Sequence, residues 1–244
     1  MKVTLEEYIK NPMGKGHSLM TNRSMYDAMY TQKFNALIAR EAGTFKVAFF
    51  RNKDKQFWIH FYIPSDTPKL FYDVVFEFTA PDLTIEGQTT LNNYHVKFYS
   101  NDPAFTFTHA HAFNVNDLLI QELKSKQSSK ALKEKSEFRN PKDEIGYVKT
   151  IYLAYLYYKL KNFNQKSTWN EFSIVSKSRI ISSIKHATAK LEEATELKKE
   201  HSAAKRMGKR TESRAIKQPI TKTKSVSKTP TTKRSGRVKT VKKI

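Results

Sequence analysis

Gln56-Phe57-Trp58-Ile59-His60-Phe61-Tyr62-Ile63, followed by Phe71-Tyr72-Asp73-Val74-Val75-Phe76-Glu77-Phe78, decides how this chain folds. Side chains on a strand alternate between two faces. In the first stretch Phe57, Ile59, Phe61 and Ile63 therefore share one face, and Trp58, His60 and Tyr62 share the other. In the second, Tyr72, Val74, Phe76 and Phe78 stand against Phe71, Asp73, Val75 and Glu77. Aromatic and β-branched residues with period-two alternation read as strands. Residues 44–50 and 56–63 flank Asn52-Lys53-Asp54-Lys55, which reads as a hairpin, and 93–99 and 104–113 supply two further strand candidates. Turn signals fall at 64–68, at Pro81-Asp82 and at Asn101-Asp102-Pro103. Five strands in series predict an α+β fold built on a mainly antiparallel five-stranded sheet or small barrel.

Outside this region the period changes to that of a helix. Thr4 and Glu7 have capping-box spacing, so a short helix opens the chain until Asn11-Pro12 stops it. Tyr26, Tyr30, Phe34, Leu37 and Ile38 form one apolar stripe over 24–42, with Gly43 as its stop. Leu118, Leu119, Glu122 and Leu123 begin a helix that runs into the Lys-rich stretch 124–142, either an exposed helix or a loop. Ile145, Val148, Tyr152, Tyr155 and Leu156 mark a buried helix, and Thr168 to Glu171 repeats the capping-box spacing. A long polar helix is expected from Ser178 to about Lys205. Ile180, Ile184, Ala187, Leu191 and Ala194 form a short heptad seam on it. The expected organisation is an α+β domain over 1–164, a helical extension over 165–204 and a disordered basic tail over 205–244.

That tail differs physically from the rest. Residues 205–244 hold 15 Lys or Arg and one acid, Glu212, a net charge of +14 out of the chain's +21. All 16 Phe and 12 Tyr fall at or before Phe172. A segment with strong self-repulsion and no aromatic residues cannot bury enough surface to offset the entropy of ordering it. A polyanion neutralises it, and nucleic acid gains further from counterion release. The candidate phosphate-binding residues are Lys205, Arg206, Lys209, Arg210, Arg214, Lys217, Lys222, Lys224, Lys228, Lys233, Arg234, Arg237, Lys239, Lys242 and Lys243.

Other chemistry is sparse. Cys is absent, which excludes disulfides, thiolate metal sites and Cys nucleophiles. The first ten residues have no apolar run, and 145–160 is interrupted by Lys149 and Lys159. We therefore expect neither a secretion signal nor a membrane span, and a cytoplasmic or virion location. His109-Ala110-His111 on a strand would aim two imidazoles at one metal, with His60 or His95 to complete the site. Paired structural histidines are the plainer reading, with no metal and no cofactor. Met13-Gly14-Lys15-Gly16-His17-Ser18 lacks the first Gly of a phosphate-binding loop and has His17 in the Ser/Thr slot. Asp73, Glu77, Asp82 and Glu86 have no fixed mutual geometry, and alternation puts Asp73 and Glu77 on a solvated face. No G-x-S-x-G elbow is present. Trp58, His60 and Tyr62, with Tyr94, Lys97 and Tyr99, would make a base-stacking platform if exposed. Burial between flanking helices is the competing expectation.

Lys222-Thr223-Lys224-Ser225 and Lys228-Thr229-Pro230-Thr231-Thr232-Lys233-Arg234 resemble, in composition, the tails of linker histones and other DNA-condensing proteins. Tyr8-Ile9-Lys10-Asn11-Pro12-Met13-Gly14-Lys15-Gly16, with Asn22-Arg23, resembles the opening of small tailed-phage proteins. Together these resemblances imply a viral, virion or DNA-handling protein. The expected function is non-enzymatic, sequence-nonspecific nucleic-acid binding through the tail, on DNA or RNA. A homo-oligomer or other virion proteins are the further partners. The alternatives are an assembly protein docked in an oligomeric shell, and a metal-dependent enzyme centred on His109 and His111.

Overall fold

The alternation in the two central strands is realised as an antiparallel pair. β1 (Val47–Asn52), β2 (Gln56–Pro64), β3 (Phe71–Thr79) and β4 (His95–Ser100) form an open sheet in the order β1-β2-β3-β4. Register runs through Ile59 opposite Phe76 and Phe76 opposite Phe98. This computed structural model describes residues 2–10, 23–40, 46–53, 55–81, 90–146, 148–172 and 174–215. The chain divides into two units, Met1–Ala203 and Ala204–Ile244.

The apolar face carries the core. Phe57, Ile59, Phe61, Val74, Phe76, Phe78, Val96 and Phe98 are all buried. α6 (Lys149–Leu160) lies on this face, where Tyr158 stacks on Phe78 at 5.7 Å and Tyr157 meets Phe61 edge-on at 6.5 Å. α1 (Leu5–Lys10) is fixed by the capping box: the Thr4 amide donates to Glu7 Oε2 at 2.7 Å and the Glu7 amide to Thr4 Oγ1 at 3.3 Å. It delivers Tyr8 to Phe98 at 4.5 Å between ring centres. α2 (Arg23–Arg40) packs on α6 through Tyr30 and Tyr152, 5.5 Å apart. Such ring pairs favour tilted and edge-on contacts because of their quadrupoles.

The expected sheet has five strands, open or closed into a small barrel; among the described residues it has four and is open. Residues 103–115 are helical instead, as α3 (Pro103–Thr108) and α4 (Ala110–Val115). The reason is a helix start signal inside the turn: Asp102 accepts from the Ala104 amide at 3.1 Å and Pro103 occupies the first helical position. The alternation of Phe105 and Phe107 imitated a strand, but Phe105 is buried and Phe107 is 41% exposed.

The helix expected from Leu118 begins later, as a 3-10 turn over Gln121–Lys126. Its first residues are held extended, because the Phe98 amide donates to Leu118 O and the Ile120 amide to Phe98 O. These bonds cover part of the outer edge of β4, which would otherwise offer a template for pairing. In the Lys-rich stretch, α5 (Ser129–Lys133) is short and is followed by turns. Asn140 ties those turns down, donating to Thr108 O and Glu144 O and accepting from the Glu144 amide.

Thr168 does not cap a helix. It lies within a 3-10 turn over Lys166–Glu171, where its hydroxyl donates back to Asn162 O and Gln165 O. The long C-terminal helix is two helices, α7 (Lys177–Ser183) and α8 (Ala187–Ala215). Ser176 caps α7 by accepting from the Arg179 amide. Ile180, Ile184, Ala187 and Ala194 are buried as the seam requires, with Ile180 and Ile184 in the same apolar cluster as the sheet. The expected disorder border at 205 falls inside α8, and residues 216–244 lie outside the described residues.

Candidate nucleic-acid interface

The second sheet face was expected to be solvated around Asp73 and Glu77. Both are buried, as are Trp58, His60, Val75 and Tyr99. Alternation tells which residues share a face, and the covering segments come from far along the chain. Lys177 of α7 sits over the Trp58 ring at 4.5 Å and pairs with Glu122, while Tyr99 donates to Lys126 O. Val175 donates its amide to Phe49 O on β1. Tyr94 is buried against Phe57, and Lys97 pairs with Asp117 at 2.6 Å. The Trp58, His60 and Tyr99 rings expected of a stacking platform are thus consumed by packing, and the burial expectation holds for them.

That cover encloses a polar network not anticipated from the sequence. Asp73 Oδ1 lies 2.9 Å from His60 Nε2, and Asp73 Oδ2 accepts from Asn101 Nδ2 at 2.6 Å. Asn101 Oδ1 accepts from the Asp73 amide at 2.8 Å, and Asn101 Nδ2 also reaches Lys185 O at 3.3 Å. A buried carboxylate is tolerated when hydrogen bonds replace its lost hydration.

Glu77 is held differently. Burial, and then the charge of Glu122, push its carboxyl above the ordinary range, and Lys177 and Lys97 do not outweigh them. The folded state then binds more protons than the unfolded chain between the ordinary and the raised pKa. Stability falls as pH rises through that window, and the cost is complete above it. Glu77→Gln should therefore raise the Tm by a few degrees at pH 7, with the gain vanishing below about pH 4, where both forms are neutral. Thermal melts across pH check this; a lower Tm for the variant at pH 7 would show the carboxylate to be net stabilising.

The two histidines of the candidate metal site do not converge. Residues two apart on a helix point roughly 200° apart, whereas on a strand they would be parallel. His109 closes α3 and opens α4, with its ring against Gly146, where an added Cβ would come within 3.1 Å of Cε1. His111 Nδ1 instead pairs with Asp143 Oδ2 at 2.6 Å. Among the described residues no three His, Cys, Asp or Glu are grouped to hold a metal. Residues 13–18, Asp82 and Glu86 lie outside the described residues. Replacing both His109 and His111 with Gln should leave nucleic-acid affinity within about twofold, because electrostatic binding is set by Lys and Arg. Loss of binding in a double variant that still melts cooperatively would contradict this.

The basic candidates begin where α8 loses its apolar positions. Leu197 packs on Leu70, Tyr72 and Ala194, and every side chain from Lys198 to Lys205 is exposed. Lys205, Arg206, Lys209, Arg210 and Arg214 are positions of α8 itself. Lys217, Lys222, Lys224, Lys228, Lys233, Arg234, Arg237, Lys239, Lys242 and Lys243 lie outside the described residues. Among the described residues no helix is long and apolar enough to cross a membrane. No protein-family model matches the chain, and neither a curated protein nor a solved structure matches it.

Proposed function

We propose that this chain is a non-enzymatic nucleic-acid-associated protein that holds phosphate through residues 205–244. The observation that carries the reading is charge segregation: +14 in forty residues with one acid among them. A second fact supports it. Trp58, His60 and Tyr99, three of the rings that would stack on bases if exposed, are buried, which favours the basic segment over the sheet as the binding surface. The 1–203 unit then supplies position, through a contact with other virion proteins or with further copies of itself, in a cytoplasmic or virion setting. The tail supplies grip, and phosphate contacts of this kind fix a protein on nucleic acid without reading sequence. The test is a titration of the full chain and of a 1–204 fragment against one duplex and one single strand at several salt concentrations. Binding that does not differ between the two proteins removes the tail from the function.

A further inference from the structure

Within the second unit, the helical part of the basic segment has an ordered charge distribution. α8 continues through 204–215, twelve residues that rise about 18 Å. At 100° per residue, positions 205, 209, 206, 210 and 214 fall within one half of the helix circumference. Those five positions are Lys205, Lys209, Arg206, Arg210 and Arg214. The opposite half carries Ala204, Met207, Gly208, Thr211, Glu212 and Ala215. The five cationic positions therefore share one half of the helix circumference, and the single acid falls in the other.

The neutral side narrows the partner. A membrane-surface helix needs a broad apolar face opposite its cations, and a groove-docking protein ligand needs apolar anchors at i, i+4 and i+7. Met207 is the one large apolar residue on that side. What remains is a polyanion that contacts a helix along one side. Arg is also concentrated here. Three of the five cations are Arg, against two of the ten from Lys217 to Lys243. Arg holds phosphate with a fixed fork, while Lys acts as a point charge.

Resting on the reading given under Proposed function, we infer that residues 204–215 form a helix that lies in the major groove of B-form duplex DNA. The following Lys-rich segment adds charge. A helix with its side chains measures about 10–12 Å across, and the B-form major groove is about 12 Å wide. The major groove of an RNA duplex is too narrow for side chains to enter, and a single strand has no groove. Duplex DNA is therefore the nucleic acid whose affinity depends on the segment being helical.

Gly208 makes this testable without changing any charge. It sits on the neutral half, and Gly is among the weakest helix formers. In the full-length protein, Gly208→Ala should tighten binding to a DNA duplex by about fivefold, and Gly208→Pro should weaken it by about tenfold or more. Affinity for the same sequence as single-stranded DNA, and for an RNA duplex, should stay within about twofold across the three proteins, since charge is unchanged. Circular dichroism should report helix gained and lost in the same order. Equal duplex-DNA affinities for all three proteins overturn the inference, as does a parallel change on all three nucleic acids. So does a response to Gly208→Ala that appears on phosphatidylserine vesicles and not on DNA. In each of those cases the broader reading stands as long as the 1–204 fragment binds more weakly than the full chain; if it does not, that reading has failed instead.

Discussion

A chain ending at residue 204 is expected to keep its fold and lose nearly all of its nucleic-acid affinity. The fold should survive because the apolar clusters are complete before the cut, with Ala194 and Leu197 their last members. Affinity should fall because the fragment's formal charge drops from +21 to +7. If about 6 to 10 of the removed charges engage phosphate, affinity of the full chain falls by about 10³ to 10⁵ between 50 and 200 mM salt. The fragment should show a much shallower slope. Its remaining basic residues are partly engaged in ion pairs, such as Lys97 with Asp117 and Lys185 with Glu193. Sequence preference should be small in both proteins, because contacts to phosphate carry no sequence information. Fluorescence anisotropy across the salt series measures all of this. Equal affinities with equal slopes would return the binding to the folded unit.

The sheet was legible because its signal is local. Alternation over 56–63 and 71–79 fixed the two central strands, their faces and the hairpin to β1 without knowledge of anything beyond them. The segment after Asp102 was misread for a reason of the same kind. Phe105, Phe107, His109, His111 and Phe113 alternate, yet a cap and a Pro at the first helical position outweigh a pattern that costs nothing to satisfy in either form. Had Asp102-Pro103 been read as a helix start and not as a turn, the histidine pair would have lost its metal geometry at once. The cover over the second sheet face was not legible. It is contributed by Val175, Lys177 and Lys185, roughly a hundred residues away from the strands they cover, and period says nothing about so distant a partner. Charge segregation at the C-terminal end needed no structure at all, whereas the helical register of its first eleven residues needed the backbone.

Asp73→Ala is expected to destabilise the folded unit by about 3 to 5 kcal/mol, the usual cost of removing one partner from a buried charged network. The side chain serves three purposes together. It accepts from Asn101, it engages His60 on the neighbouring strand, and through Asn101 it reaches the backbone of Lys185 between α7 and α8. Truncation leaves His60 Nε2 and Asn101 Nδ2 facing a dry cavity, and an unsatisfied buried group costs more than its hydrogen bond contributed. Against a typical total of about 5 to 15 kcal/mol, that loss lowers the Tm by about 6 to 20 degrees in a domain of this size. Asp66 provides the control. Its carboxyl also has two cationic partners, Lys33 and Lys149, and they hold it below its ordinary range despite the opposing effect of burial. It is largely solvent-exposed, however, so water replaces what Asp66→Ala removes and the cost should stay under about 1 kcal/mol. Denaturant melts of the two variants separate burial from ion pairing as the source of stability, and equal losses would show that the cover over the second sheet face does not exclude water. In an Asp73–Asn101 double-mutant cycle the two losses should fall short of additive by about 1 kcal/mol or more, because each residue's penalty arises from the other being left unpaired. Below the lowered melting transition the full-length Asp73→Ala protein should still bind DNA normally, since no residue of the network lies in the segment proposed to hold phosphate.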